Sequence, residues 1–114
     1  MFLFEWDERK NRTNQEKHGV SFEEARTVFF DDEALLITDP DHSEDEERFI
    51  ILGFSFEGNM LVVVHCYRAN DSIIRIISAR KATRTEIKQY NERLERWWYE
   101  RRIWFFKSKE ESLC

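Results

Sequence analysis

The sequence predicts an α+β fold, with a mostly antiparallel sheet of four to five strands, two short helices ahead of it and a long helix behind it. Three observations predict this. Two N-terminal segments carry helix start and stop signals in succession, and four strand-like runs then follow without a helical period between them. From Thr83 onward apolar residues recur at helical spacing, through Ile87, Tyr90 and Leu94 to Trp97 and Trp98.

Each element has a local reason. Phe2–Trp6 is a short aromatic-rich segment of edge-strand type. Asp7 is placed to cap a polar helix over Glu8–Lys17, and His18-Gly19 ends it, since glycine suits the position just past a last turn. Ser21 with Glu24 three residues on reads as a capping box, and Phe22, Ala25, Val28 and Phe29 form the apolar stripe of that second helix until Asp31-Asp32 breaks it. Strands are expected at Leu35–Thr38, Arg48–Phe56, Met60–Arg68 and Ile73–Arg80, with a charged loop at Asp39–Glu46. Ala69-Asn70-Asp71-Ser72 suits a tight hairpin connection, because Asn and Asp tolerate positive φ. Thr83-x-x-Glu86 is a second capping box. A continuous helix from there to Lys107 would be about 37 Å long.

At 114 residues the chain has room for one domain, without a linker or an internal repeat. Met1–Phe4 runs directly into Glu5, Asp7 and Glu8, unlike a signal peptide, and no run approaches the apolar length of a membrane helix. Cys66 and Cys114 make no disulfide framework, and no Cys/His spacing suggests zinc, so a reducing cytoplasm is expected, with no cofactor and no metal. His42, in the acidic loop, has no partner at metal-ligand spacing. The net charge of −5 conceals an asymmetry. Residues 1–59 hold 6 Lys/Arg against 16 Asp/Glu (−10), whereas residues 60–109 hold 12 against 5 (+7). A local basic surface, rather than the total, governs phosphate binding.

The hairpin formed by Met60–Arg68 and Ile73–Arg80 concentrates the reactive groups. With the turn at Asn70-Asp71, Arg68 falls opposite Ile73 and His65 opposite Ile76. Strict alternation then groups His65, Tyr67, Ser78 and Arg80 on one face and Arg68, Arg75 and Lys81 on the other, a partition that a one-residue slip would regroup. These are the groups that metal-free RNA cleavage uses. A base takes the 2′-hydroxyl proton, cations stabilise charge at phosphorus, and an acid protonates the leaving oxygen. Histidine suits the proton transfers near neutral pH and arginine the phosphate. The residues alone leave other roles open, since a strand histidine is commonly a packed core group and flanking cations are commonly solvated strand ends. Lys17-His18 can simply complement a helix C-terminus, and Cys66 reads as inert core.

Taken with their neighbours, these residues resemble the BrnT family of toxins, from type II toxin–antitoxin pairs within the wider RelE-like group. The resemblance rests on Phe4-Glu5-Trp6-Asp7 with Lys10, Asn14 and Lys17-His18-Gly19-Val20; Ser21–Ala25 with Val28-Phe29; His42-Ser43 with Glu46–Phe49; Gly53 with Ser55; Leu61–His65 with Arg68; and Ile74–Thr83 with Glu86 and Tyr90. It spans about the first 92 residues, and the block from Arg75 to Thr83 is its most specific part. It implies a RelE-like sheet and a ribonuclease that slows translation. It also implies neutralisation by a BrnA-type ribbon-helix-helix antitoxin, so that DNA is contacted only through that partner. Carried over, it implies catalytic positions at His65, Arg68, Arg80, Lys81, Glu47 and Arg48, and RNA-binding positions at Lys10, Lys17, His18 and Arg75, to which the hairpin chemistry adds Tyr67.

The chain departs from the family pattern after Tyr90. There Trp97, Trp98, Trp104 and Phe105 are read as an antitoxin or dimer interface, in a homodimer or a heterotetramer with the antitoxin. The alternative reading is an inactive RelE-like module that serves only as antitoxin partner and transcriptional corepressor.

Overall fold

The computed structural model describes residues 3–38 and 47–93. The predicted order of elements is observed: β1 (Leu3–Glu5), α1 (Glu8–His18), α2 (Phe22–Thr27) with a 3₁₀ turn over Val28–Phe30, β2 (Leu35–Thr38), β3 (Phe49–Phe54), β4 (Met60–Arg68), β5 (Ile73–Lys81) and a helix, α3, over residues 84–93. The continuation of that helix to Lys107, with Leu94, Trp97, Trp98, Trp104 and Phe105, lies outside the described residues.

The helix ends follow their capping residues. Asp7 accepts from the N–H groups of Arg9 and Lys10, and Gly19 closes α1 at φ 67°, a left-handed conformation that a side chain would strain. At α2 only half of the expected box forms. Ser21 Oγ accepts from Glu24 N at 3.0 Å, but the Glu24 carboxylate turns away to take Ser55 Oγ (2.7 Å) and Asn59 Nδ2 (2.8 Å). The β3–β4 turn thereby outcompetes the helix N-terminus for that side chain. At α3 the box is complete, with Thr83 N donating to Glu86 Oε1 (2.8 Å) and Glu86 N to Thr83 Oγ1 (3.2 Å).

The sheet order is β1-β5-β4-β3-β2, antiparallel except that β1 lies parallel to β5. The β4–β5 turn holds Ala69, Asn70 and Asp71 all at positive φ, and Arg68 pairs with Ile73 and His65 with Ile76, as the hairpin reading requires. The register then shifts. Val64 pairs with Ser78, so Ile77 is an extra residue and β5 carries a bulge. This corrects the predicted partition of side chains, because one inserted residue inverts the alternation beyond it. His65 and Tyr67 share a face with Ile76, Ala79 and Lys81. Arg68 and Arg75 share the opposite face with Ser78 and Arg80.

Two cores result. Under α1 and α2, Val20, Phe22, Ala25 and Val28 pack on Leu61, Val63, Ile76 and Ala79. On the other face Tyr90 and Ile87 of α3 pack on Leu52, Met60 and Val62. β4 is central and buried on both sides over Met60–Val63, hence its unbroken apolar run. α1 lacks an apolar stripe and is held instead by two buried amides. Asn14 donates to Val20 O (2.8 Å) and Ala79 O (2.7 Å) and accepts from Ala79 N (3.1 Å), while Asn11 Oδ1 accepts from Phe22 N (2.8 Å). Asp31, after the 3₁₀ turn, accepts from Glu33 N, Phe54 N and Tyr90 OH. Gly53 lies against this junction, and a Cβ there would stand 2.9 Å from Asp31 Oδ2 and 3.0 Å from Ala34 Cβ.

Candidate functional site

β5 delivers its arginines to the face that α3 only partly covers. Arg75 Nη1 and Arg68 Nε each lie 3.4 Å from the same oxygen, Oε1 of Glu5 on β1. Two guanidiniums thus converge on one carboxylate oxygen, the size and charge of a phosphate oxygen. Arg48 immediately precedes β3, and the alternation of that strand puts it on the same face as Ile50. It is half-buried, and its Nε is enclosed with no hydrogen-bond acceptor among the described residues. Arg80, further along β5, is held differently. Its two terminal nitrogens grip Glu86 at 2.7 and 2.8 Å, and Nη1 also reaches Lys81 O (3.3 Å). That hydrogen bond to Arg80, helped by the Thr83 amide, pulls the Glu86 carboxyl down to about 2, and the same pairing raises Arg80. Arg80 is therefore already neutralised, and it docks the start of α3 on the sheet.

His65 points the other way. It is fully buried, with its ring edge-on to Phe29 at 4.8 Å and beside Phe49 and Tyr67. Its ring nitrogens have Val63 O (3.3 Å) and Tyr67 OH (3.4 Å) for neighbours. Burial pushes its pKa down to about 4, so at neutral pH the ring is uncharged. Burial, and then Asp71, raise the Tyr67 phenol.

The sheet thus separates the cations and the imidazole into two sets. Arg48, Arg68, Arg75 and Arg80 occupy one face. His65, Tyr67 and Lys81 belong to the other, where Lys81 is exposed. Lys10, Lys17 and His18 are exposed on α1, in the layer over the His65 face, and Glu47 is exposed ahead of β3. Glu5 and Glu86, the counter-ions that set the state of the arginines, were not among the predicted site residues. The signal for Glu86 was its capping box. For Glu5 it was a parallel β1–β5 pairing, which three residues of strand do not announce. Among the described residues no three His, Cys, Asp or Glu side chains are grouped to hold a metal ion, and no helix is long and apolar enough to cross a membrane.

A five-stranded sheet with helices on both faces carries Arg48, Arg68, Arg75 and Arg80 together on one of them. Comparison with known proteins gives the assignment. Residues 6–86 match the family model described as the ribonuclease toxin BrnT of type II toxin–antitoxin systems. The chain belongs to this family. A solved structure, that of the Brucella abortus ribonuclease toxin BrnT, has a similar fold, with a TM-score of 0.55 and 22% identity over 74% of this chain and 100% of that one. No curated protein sequence matches the chain significantly.

Proposed function

We propose that this chain is a cytoplasmic toxin that cleaves RNA without a metal cofactor and thereby slows translation, and that it binds its substrate on the arginine face of the sheet. The observation that carries the reading is the convergence of Arg68 and Arg75 on Glu5 Oε1, with Arg48 and Ser78 on the same face. A phosphate entering there meets two preoriented guanidiniums, and its non-bridging oxygens replace the carboxylate. The cations stabilise the added charge as the neighbouring 2′-hydroxyl gives its proton to solvent water and bonds phosphorus, while the bond to the 5′-oxygen breaks and that oxygen takes a proton from water. Lys10, Lys17, His18 and Lys81 extend the electrostatic track on the other side of the molecule. His65 and Tyr67 support the strand from within, and Glu47 and Arg80 stand at the margins. Neutralisation is by a BrnA-type ribbon-helix-helix antitoxin, which carries the DNA contacts of the complex.

A second reading, an inactive module that only binds the antitoxin, draws on the burial of His65 and the neutralisation of Arg80. One experiment separates the two. Purified protein is given a mixed-sequence single-stranded RNA. Arg75→Ala lowers cleavage by about 10²–10³-fold, as expected for a cation at a developing charge, with unchanged unfolding. Binding of the RNA by the parent chain falls by ~0.7 log units for each phosphate contact per tenfold rise in salt. No cleavage by the parent chain favours the module, and full activity in the Arg68→Ala, Arg75→Ala double variant removes the arginine face from the mechanism.

A further inference from the structure

β2 forms one edge of the sheet, paired to β3 on one side and to no described strand on the other. Sheet edges are ordinarily protected by charge, proline or a bulge. Leu35-Leu36-Ile37-Thr38 has none of these, and Leu36 and Ile37 are 52% and 54% exposed. The exposure is two-sided. Leu36, paired with Ile51, projects from the face that carries α2. Leu35 and Ile37, paired with Leu52 and Ile50, project from the other face, where with Val62 they line an apolar groove of about 210 Å³. An extended peptide laid along β2 would meet backbone groups that no described strand pairs, and its alternate side chains would find apolar contact on both faces.

The flanking charges say which peptide. Asp32 and Glu33, both exposed, precede the strand, and Asp39 and Asp41 follow it in the sequence. Pairing of β2 with β2 of a second copy would set acidic ends against acidic ends in either strand direction, which is repulsive. A heterologous segment with Lys or Arg at both ends would be attracted, and its association would be faster at low salt.

We propose that β2 is a strand-addition site for the antitoxin, which contributes an extended segment with apolar residues at alternating positions and basic residues on either side. This rests on the antitoxin reading above and names the surface where that partner is held.

The test uses the full chain co-expressed with the polypeptide of its adjoining reading frame, and compares amide hydrogen exchange in the complex with that in the free chain. Exchange at β2 is expected to slow at least tenfold in the complex. Leu36→Asp, at a half-exposed position, is expected to weaken the complex at least thirtyfold. Asp32→Lys with Glu33→Lys should weaken it and flatten its salt dependence without touching the strand. A complex that forms while β2 exchanges as in the free chain overturns the proposal and leaves the antitoxin reading standing. Absence of any complex overturns both, and concentration-dependent protection of β2 in the free chain overturns the proposal in favour of self-association.

Discussion

Asn14→Ala tests what fastens the N-terminal layer to the sheet. β1 pairs with β5 only over Ile73–Arg75, so beyond that point β5 has no described strand beside it on its outer side. The Asn14 amide takes the place of one. It accepts from Ala79 N at 3.1 Å, donates to Ala79 O at 2.7 Å, and holds Val20 O at 2.8 Å, in a position 6% exposed. Truncation removes three hydrogen bonds of about 1 kcal/mol each and leaves an N–H and two carbonyls enclosed, where unmet groups cost about 1–3 kcal/mol apiece. Water entering the vacated space offsets part of this, which gives an expected loss of about 3–5 kcal/mol. That is a large share of the roughly 5–15 kcal/mol that stabilises a typical domain. The assay is urea unfolding followed by far-ultraviolet circular dichroism, with a shifted midpoint and an unchanged slope. In a thermal melt the midpoint should drop by about 10 °C or more. Thr13→Ala, on the exposed side of the same helix, is the control and should be nearly neutral. A loss below about 1 kcal/mol for Asn14→Ala would show that the amide is not the fastening and that apolar packing alone seats α1.

The remaining predictions concern pH and the joint between β5 and α3. His65 has a folded pKa of about 4 against 6.5 in the unfolded chain, so the unfolded state binds the proton more readily. Stability is full above pH 6.5 and falls by up to about 3 kcal/mol as pH drops toward 4, and this slope should be absent from urea titrations of His65→Phe. Because the ring is neutral and enclosed, the pH profile of RNA cleavage should show no limb near 6.5 belonging to His65. The Glu86 carboxyl, depressed to about 2, contributes stability that is present above pH 4.5 and lost as pH falls toward 2. Glu86→Gln should cost about 1 kcal/mol at neutral pH, a modest figure because the pair is partly exposed and solvent screens it. Arg80→Ala should cost a similar amount without an additive effect in the double variant.

Most of the architecture was legible because each element carries its own local reason. Asp7, Ser21 and Thr83 mark helix starts, Gly19 marks a stop, and Asn70-Asp71 fixes the hairpin pairing that brings Arg68 to Ile73. The site was less legible for one reason, the bulge at Ile77. In Ile73-Ile74-Arg75-Ile76-Ile77 no glycine or proline announces the inserted residue, and the aliphatics suit either face, so the alternation was carried one step too far and Arg80 was grouped with His65. Glu24 shows the same limit. Its spacing from Ser21 is that of a capping box, but Ser55 and Asn59, more than thirty residues away, take the carboxylate. Contacts of that kind depend on which turns the fold brings near, and helical spacing carries no record of them.

Asp31 joins parts that the sheet otherwise keeps apart. The two cores lie on opposite faces, and packing alone would leave them free to loosen separately. One carboxylate bonded to Glu33 N, Phe54 N and Tyr90 OH spans the end of the 3₁₀ turn, a strand and the C-terminal helix. That carboxylate ties the C-terminal helix to the N-terminal layer at the sheet's margin, which favours opening of the two halves together rather than in sequence.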